Sequence, residues 1–265
     1  MVSRMMHGKS AIVTGGSSGI GYAVAARLAE EGASVTIAGR DRGRGEAAAS
    51  ALASRNAGRV RFVAADVRDE RSVTRLVSDA ESASGAIDFL FNNAGVEGAL
   101  GPLANYPVES VDELLATNIK GVLLCLKHVL PRMQARAAGV IVNTASFVGT
   151  VVPLPDGMAY GATKAAVLSL TRTAAASGGS LPVRVFAVCP WITDTPMIDR
   201  LTGHQAEGKR QFAGVNPSGV IVSPDEVAGV VMRLFAGATD LENGGALLVD
   251  AGGATARLTP AALIS

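Results

Sequence analysis

Ser10-Ala11-Ile12-Val13-Thr14-Gly15-Gly16-Ser17-Ser18-Gly19-Ile20-Gly21 is the stretch on which the fold turns. Residues suited to a buried strand, Ser10–Thr14, run straight into glycines. The turn then opens a helix over Gly19–Glu31, with Ile20, Val24 and Leu28 at helical spacing. Such a junction is a natural anion site, because the first N–H groups of a helix lack partners and carry partial positive charge. Gly15 permits the tight turn, Gly19 lets the backbone approach a pyrophosphate, and Gly21 lets helix pack on strand. Ser17, Ser18 and Ile20 are the further cofactor contacts expected of the same turn. The spacing is G-x-x-x-G-x-G rather than G-x-G-x-x-G, and a glycine-rich turn alone is common.

Outward from this turn, strand-like and helix-like stretches alternate. The strands are expected at Ser34–Ala38, Val60–Ala64, Ile87–Phe91, Val140–Thr144, Val183–Val188 and Ala246–Asp250. The helices are expected at Gly45–Asn56, Ser72–Ser84, 108–135 with Pro131 near its end, Tyr160–Ala176, and Pro224–Phe235 with Ser223 as N-cap. Continuous apolar strands alternating with helices imply an α/β fold, a Rossmann-type doubly wound parallel sheet of about seven strands with helices on both faces. With no linker and no internal repeat, 1–265 reads as a single domain. Its core is about 8–253, a loop-rich insert covers about 191–222, and a weakly patterned tail, 254–265, is expected to wander or dock on a neighbouring subunit.

Composition narrows the class. A 48% hydrophobic content supports a buried core, and a net charge of +1 with no dense basic stretch gives no nucleic-acid face. Cys125 and Cys189 lie in apolar runs without CxxC spacing and read as reduced core residues. His7, His128 and His204 show no ligand spacing, so no metal site is expected. No signal peptide is read at Met1–Gly8, and no segment is expected to reach the ~20 apolar residues of a membrane span. The expected location is cytoplasmic.

The second strand bears on the cofactor. It ends Ala38-Gly39-Arg40, with no acid at its tip to take a ribose 2′-OH. Arg40 can instead pair with a 2′-phosphate. Asp41 is read as a cap or turn residue, or as the missing acid. NADP is favoured, with NAD left open.

Tyr160 and Lys164 stand at i and i+4, and Ser146 lies fourteen residues before the tyrosine. The helix pair shares one face. A free tyrosine titrates near ~10, and a nearby ammonium favours the phenolate and lowers that value. Tyr160 then fits general acid/base work on a carbonyl or alcohol oxygen, with Ser146 hydrogen-bonding the same oxygen.

The ordered set resembles the classical short-chain dehydrogenase/reductase family over roughly 8–253. It comprises the Thr14–Gly21 turn, Asp66-Val67, Asn92-Asn93-Ala94-Gly95, Asn118, Ser146, Tyr160-Gly161-Ala162-Thr163-Lys164, Pro190, Thr195-Pro196-Met197 and Asp250-x-Gly252-Gly253. The resemblance implies that Asp66 and Val67 hold the adenine, and that Asn92, Ala94 and Gly95 line the adenosine ribose and the approach to the nicotinamide. It implies further that Pro190, Thr193 and Thr195 sit by the carboxamide or phosphates, that Lys164 holds the nicotinamide ribose, and that Asn118 holds a water linking Lys164 to solvent. Ketoreductases and secondary-alcohol dehydrogenases look most similar.

Three departures stand out. Trp191 occupies the family's glycine position after Pro190, where it either narrows the substrate pocket or packs into the core. The Ser146–Tyr160 interval is one residue longer than common, with an apolar, proline-stiffened run at 151–156. Ser177-Gly178-Gly179-Ser180 should end the Tyr160 helix early, which puts the usual tetramer in question; a homo-oligomer, dimer or tetramer, is still expected. Candidate substrate walls are Glu97, Phe147, Val148, Pro153, Leu154, Trp191 and Met197. Mostly apolar, they suggest a hydrophobic or cyclic ketone or secondary alcohol. The competing reading is a non-catalytic dinucleotide sensor or scaffold on the same fold.

Overall fold

A computed structural model describes residues 5–55, 59–178 and 182–259. Eight strands form one sheet in the order β3-β2-β1-β4-β5-β6-β7-β8. They are β1 Ser10–Thr14, β2 Ser34–Gly39, β3 Val60–Ala64, β4 Phe89–Asn92, β5 Gly139–Thr144, β6 Val183–Pro190, β7 Ala246–Asp250 and β8 Gly253–Leu258. The first seven pair in parallel, and β8 returns antiparallel along β7. The order reverses at β1, where the chain steps out to β3 and then crosses to β4. The carboxyl ends of β1 and β4 therefore diverge into a crevice, the place where open α/β sheets bind ligands.

Side-chain alternation divides the core into two layers. Ile12, Leu90, Ile141 and Val185 face one way, toward α3 (Glu70–Ser84), α5 (Gly121–Ala135) and α6 (Met158–Ser177). Val13, Phe91, Val142 and Phe186 face the other, toward α1 (Gly19–Glu30), α2 (Arg42–Arg55) and α9 (Pro224–Ala236). Cys125 and Cys189 are free thiols within the first layer. Ser223 caps α9 as expected, in a full capping box with Glu226.

Four expectations change. The sheet has an eighth strand, drawn from the tail expected to wander. Gly252 and Gly253, at φ +88° and +112°, turn the chain back so that 253–258 satisfies the otherwise open edge of β7. Residues 260–265 of the tail lie outside the described residues, as do Gly179 and Ser180; α6 itself stops at Ser177.

The helix expected over 108–135 is three pieces, α4 (Val108–Leu114), a π-helical stretch Leu115–Lys120 and α5. Val108–Ala135 is also long and apolar enough, by length and composition, to cross a bilayer, contrary to expectation. Here its apolar residues include Val122, Leu126 and Val129 in the core beside the sheet. Finally, the insert is not all loop. It carries α7 (Pro196–Leu201) and α8 (Ala206–Ala213). The buried Asn216 closes its base, accepting from Ile192 N and donating to the Ile192 and Val220 carbonyls.

Candidate active site

A cleft of about 1210 Å³ opens over the carboxyl ends of the strands. Its nucleotide end is built by the β1–α1 turn. Gly15 and Gly19 take φ +66° and +53°, a region that favours glycine. A Cβ on Gly21 would sit 2.3 Å from the Gly15 carbonyl oxygen, so α1 and β1 approach as closely as they do only without one. The Ser18 side chain makes no cap bond and no acid lies in the first turn of α1, which leaves the helix N-terminus open toward the cleft for an anion. Gly15, Ser17, Ser18, Gly19 and Ile20 all line the cleft, whereas Gly21 acts behind the wall. These residues fit a dinucleotide pyrophosphate.

At the tip of β2, Arg40 lines the same end and stands only loosely against Glu113, at 3.9 Å. Asp41 turns away. It accepts from the Arg44 backbone N–H and from Arg44 Nε, bonds that hold its carboxyl below the usual aspartate range. It is a turn residue, and it brings Arg44, which the sequence reading missed, to the cleft beside Arg40.

Besides Gly21, three expected cofactor contacts lie off the cleft. Asn92 shares the face of Leu90 and is buried, its amide donating to the Val122 carbonyl of α5. Asn93 lines the wall instead, held by Thr14: its N–H donates to Thr14 Oγ1 and its side-chain amide to Thr14 O. Asp66 is gripped by Arg68, whose Nη2 lies 2.7 Å away, and Val67 packs beneath Gly121. Ala94, Gly95, Pro190, Thr193 and Thr195 do line the cleft.

At the centre, Tyr160, Lys164 and Ser146 meet. Lys164 Nζ donates to the Thr144 carbonyl at 2.9 Å and lies 5.6 Å from the Tyr160 ring centre. Ser146 Oγ accepts from Val148 N–H at 3.2 Å, which leaves its own proton to donate. Burial pushes the Tyr160 hydroxyl up to about 12, against the opposing pull of Ser146 and with a smaller upward push from the Glu97 carboxylate. Burial pulls Lys164 down to about 8. The expected lowering of Tyr160 by Lys164 is not found: burial dominates, Ser146 is what opposes it, and the tyrosine holds its proton at neutral pH.

Asn118, on the π-helical stretch, does not line the cleft. Its amide donates to the Val96 carbonyl and to Thr163 Oγ1, and its oxygen accepts from Val96 N–H, which ties the loop after β4 to α6.

All seven candidate substrate walls line the other end of the cleft. Trp191 does both things allowed for it: it stacks on Phe147, ring centres 4.4 Å apart, and also packs against both core layers. Glu97 carries a partner that the sequence reading missed. Arg200 of α7 grips it through two bonds, of 2.6 and 3.0 Å.

A family model for short chain dehydrogenases matches residues 9–206, most of the chain and every element of the central site. The chain belongs to the short chain dehydrogenase family. It is an NAD(P)-dependent oxidoreductase, so the reading as a non-catalytic sensor or scaffold is set aside. Among its relatives, a cis-4-hydroxycyclohexanecarboxylate dehydrogenase of Sinomonas cyclohexanicum is 38% identical, over 91% of this chain and 95% of that one. The crystal structure of levodione reductase superposes with a TM-score of 0.87 at 33% identity, covering 93% of this dehydrogenase and 97% of that chain. NAD+-bound xylitol dehydrogenase superposes at 0.85 and 33% identity, covering 92% and 98%.

Proposed function

We propose that this dehydrogenase reduces a cyclic or otherwise hydrophobic ketone to its secondary alcohol, with NADPH as the preferred cofactor and Tyr160 as general acid. The observation that carries the reading is the meeting of Tyr160, Ser146 and Lys164 in one cleft that also has an apolar wall. When bound, the reduced nicotinamide supplies a hydride to the carbonyl carbon. Tyr160 gives its proton to the carbonyl oxygen, and Ser146 donates a hydrogen bond to that oxygen, positioning it. Lys164 brings a buried positive charge to the tyrosine's side of the site, which favours the phenolate that remains. In the reverse direction Tyr160 is the base. Asn118 is a positioning residue that fixes the loop after β4 on α6.

Phe147, Val148, Pro153, Leu154, Trp191 and Met197 form an apolar surface that suits a ring better than a sugar. The hydroxycyclohexanecarboxylate and dichlorocyclohexadienediol dehydrogenase relatives, whose names denote cyclic substrates, point the same way. NADPH is favoured by Arg40 and Arg44 at the β2 tip and by the turning away of Asp41.

A homo-oligomer is proposed on the exposed apolar residues Val108, Leu115 and Leu123 of the α4–α5 segment. A cytoplasmic location suits the two buried free thiols. The test is a panel of cyclic ketones, linear ketones and sugars assayed with NADPH and NADH, alongside mass spectrometry of nucleotide that co-purifies. Turnover confined to open-chain sugars would reject the substrate class, and NADH preference would reject the cofactor assignment.

A further inference from the structure

We propose that the Glu97–Arg200 ion pair is a positioning device that closes the insert over the substrate and, by the same contact, screens the Glu97 charge from the hydroxyl of Tyr160. The inference rests on the reading of Tyr160 as general acid/base. Its first support is topological. Glu97 follows β4 on the body of the protein, and Arg200 lies 103 residues on, in α7 of the insert. Among the described residues this is the ion pair that joins α7 and α8 to the body. Lys209 instead pairs with Asp194 and Asp199, and Arg210 with Glu207, all within the insert.

The second support is geometric. Nε and Nη2 of Arg200 meet the two carboxylate oxygens of Glu97 separately, a fork-to-fork contact that fixes orientation as well as distance. Glu97 itself has little freedom. Its neighbour Val96 is bonded by N–H and carbonyl to Asn118, and the side chain is only 17% exposed. Both members line the cleft that Tyr160 enters.

The charged and titratable groups around Tyr160 are few. Lys164 comes from α6, Ser146 from the loop after β5, Cys189 from β6 behind Lys164, and Glu97 with Arg200 from the loop after β4 and from α7. Of these, Glu97 is the anion that acts on the tyrosine, and it acts against phenolate formation. That push persists with Arg200 in contact, and a guanidinium on the carboxylate offsets part of its field. An open insert leaves Glu97 unscreened and the tyrosine harder to ionise, so closure and proton transfer are linked.

The experiment compares Glu97→Gln, Arg200→Gln and the double variant. Each is measured beside a counterpart that also carries Tyr160→Phe, so that the difference in phenolate absorbance isolates Tyr160. Arg200→Gln is expected to move ionisation of Tyr160, and the rising limb of alcohol oxidation, to higher pH by roughly half a unit or more. Glu97→Gln should move both to lower pH, and the double variant should follow Glu97→Gln. Both single variants lose the closing contact, so both should raise KM. Opposite pH shifts with KM changes of the same sign support the proposal. Shifts of the same sign, or none, overturn it and leave a merely structural bridge. Should Arg200→Gln fail to fold, Arg200→Met, which also removes the charge, is read in its place with the same two outcomes. If Tyr160→Phe keeps its turnover, the general-acid reading falls, and the absorbance titration still reports on the pair.

Discussion

Replacing Arg40 by alanine is expected to erase most of the preference for NADPH without harming the fold. The side chain is 53% exposed, and its contact with Glu113 is a 3.9 Å surface pair. Such pairs contribute ~0–1 kcal/mol, so the unfolding midpoint should barely move. A charge-assisted bond to a 2′-phosphate is worth ~1.5–3 kcal/mol, equivalent to roughly 10- to 150-fold in kcat/KM. Half exposure places the expectation near the lower end. Arg44 on the same wall should hold part of the phosphate affinity, so binding weakens without vanishing. The assay is kcat/KM for NADPH and NADH in wild type and variant at two ionic strengths. Loss of about tenfold or more with NADPH, little change with NADH, and a smaller wild-type preference at high salt are expected. A variant with an unchanged NADPH-to-NADH ratio would refute the reasoning and leave Arg40 a solvated turn residue.

Two further outcomes follow from the site. Trp191→Gly removes the ring stacked on Phe147; it should widen the accepted substrates or raise KM while NADPH affinity changes little. As the chain's single tryptophan, Trp191 should also be quenched by NADPH, and an unaltered substrate profile without quenching would place its ring outside substrate recognition. Lys164 is depressed from 10.5 to about 8 by burial, so across that window the unfolded chain holds a proton that the folded one has lost. Stability of the cofactor-free protein should therefore rise with pH between about 8 and 10. Lys164→Met should flatten that rise in denaturant melts; an equal rise in the variant would assign it to other groups.

The parts of the fold that were legible are those in which local pattern and long-range packing agree. β1, its turn and α1 carry both the apolar run and the glycines that their geometry demands. β8 was not legible because 253–258 has little apolar alternation of its own; what orders it is the open edge of β7. The π-helical stretch hides within an unbroken helical pattern, since its residues suit α and π geometry alike. Strand parity was the signal that would have separated Asn92 from Asn93: Asn92 falls on the Leu90 face, toward α5, and Asn93 on the cleft. Arg200 offered no such signal, because its partnership with Glu97 is created by the insert's fold. The tyrosine's environment was equally hidden. Spacing places Lys164 near Tyr160, but the burial that raises the tyrosine depends on what surrounds them.

Tyr160→Phe tests the central claim most directly, since it deletes one oxygen and leaves the shape of the cleft intact. Carbonyl reduction at saturating NADPH should fall 10²- to 10⁴-fold in kcat, the range typical of lost general acid–base catalysis. The nucleotide dissociation constant, read from quenching of Trp191, should stay within a few-fold of wild type. A variant that retains more than about a tenth of wild-type kcat, a loss below that range, would contradict the assignment of Tyr160 as the proton donor.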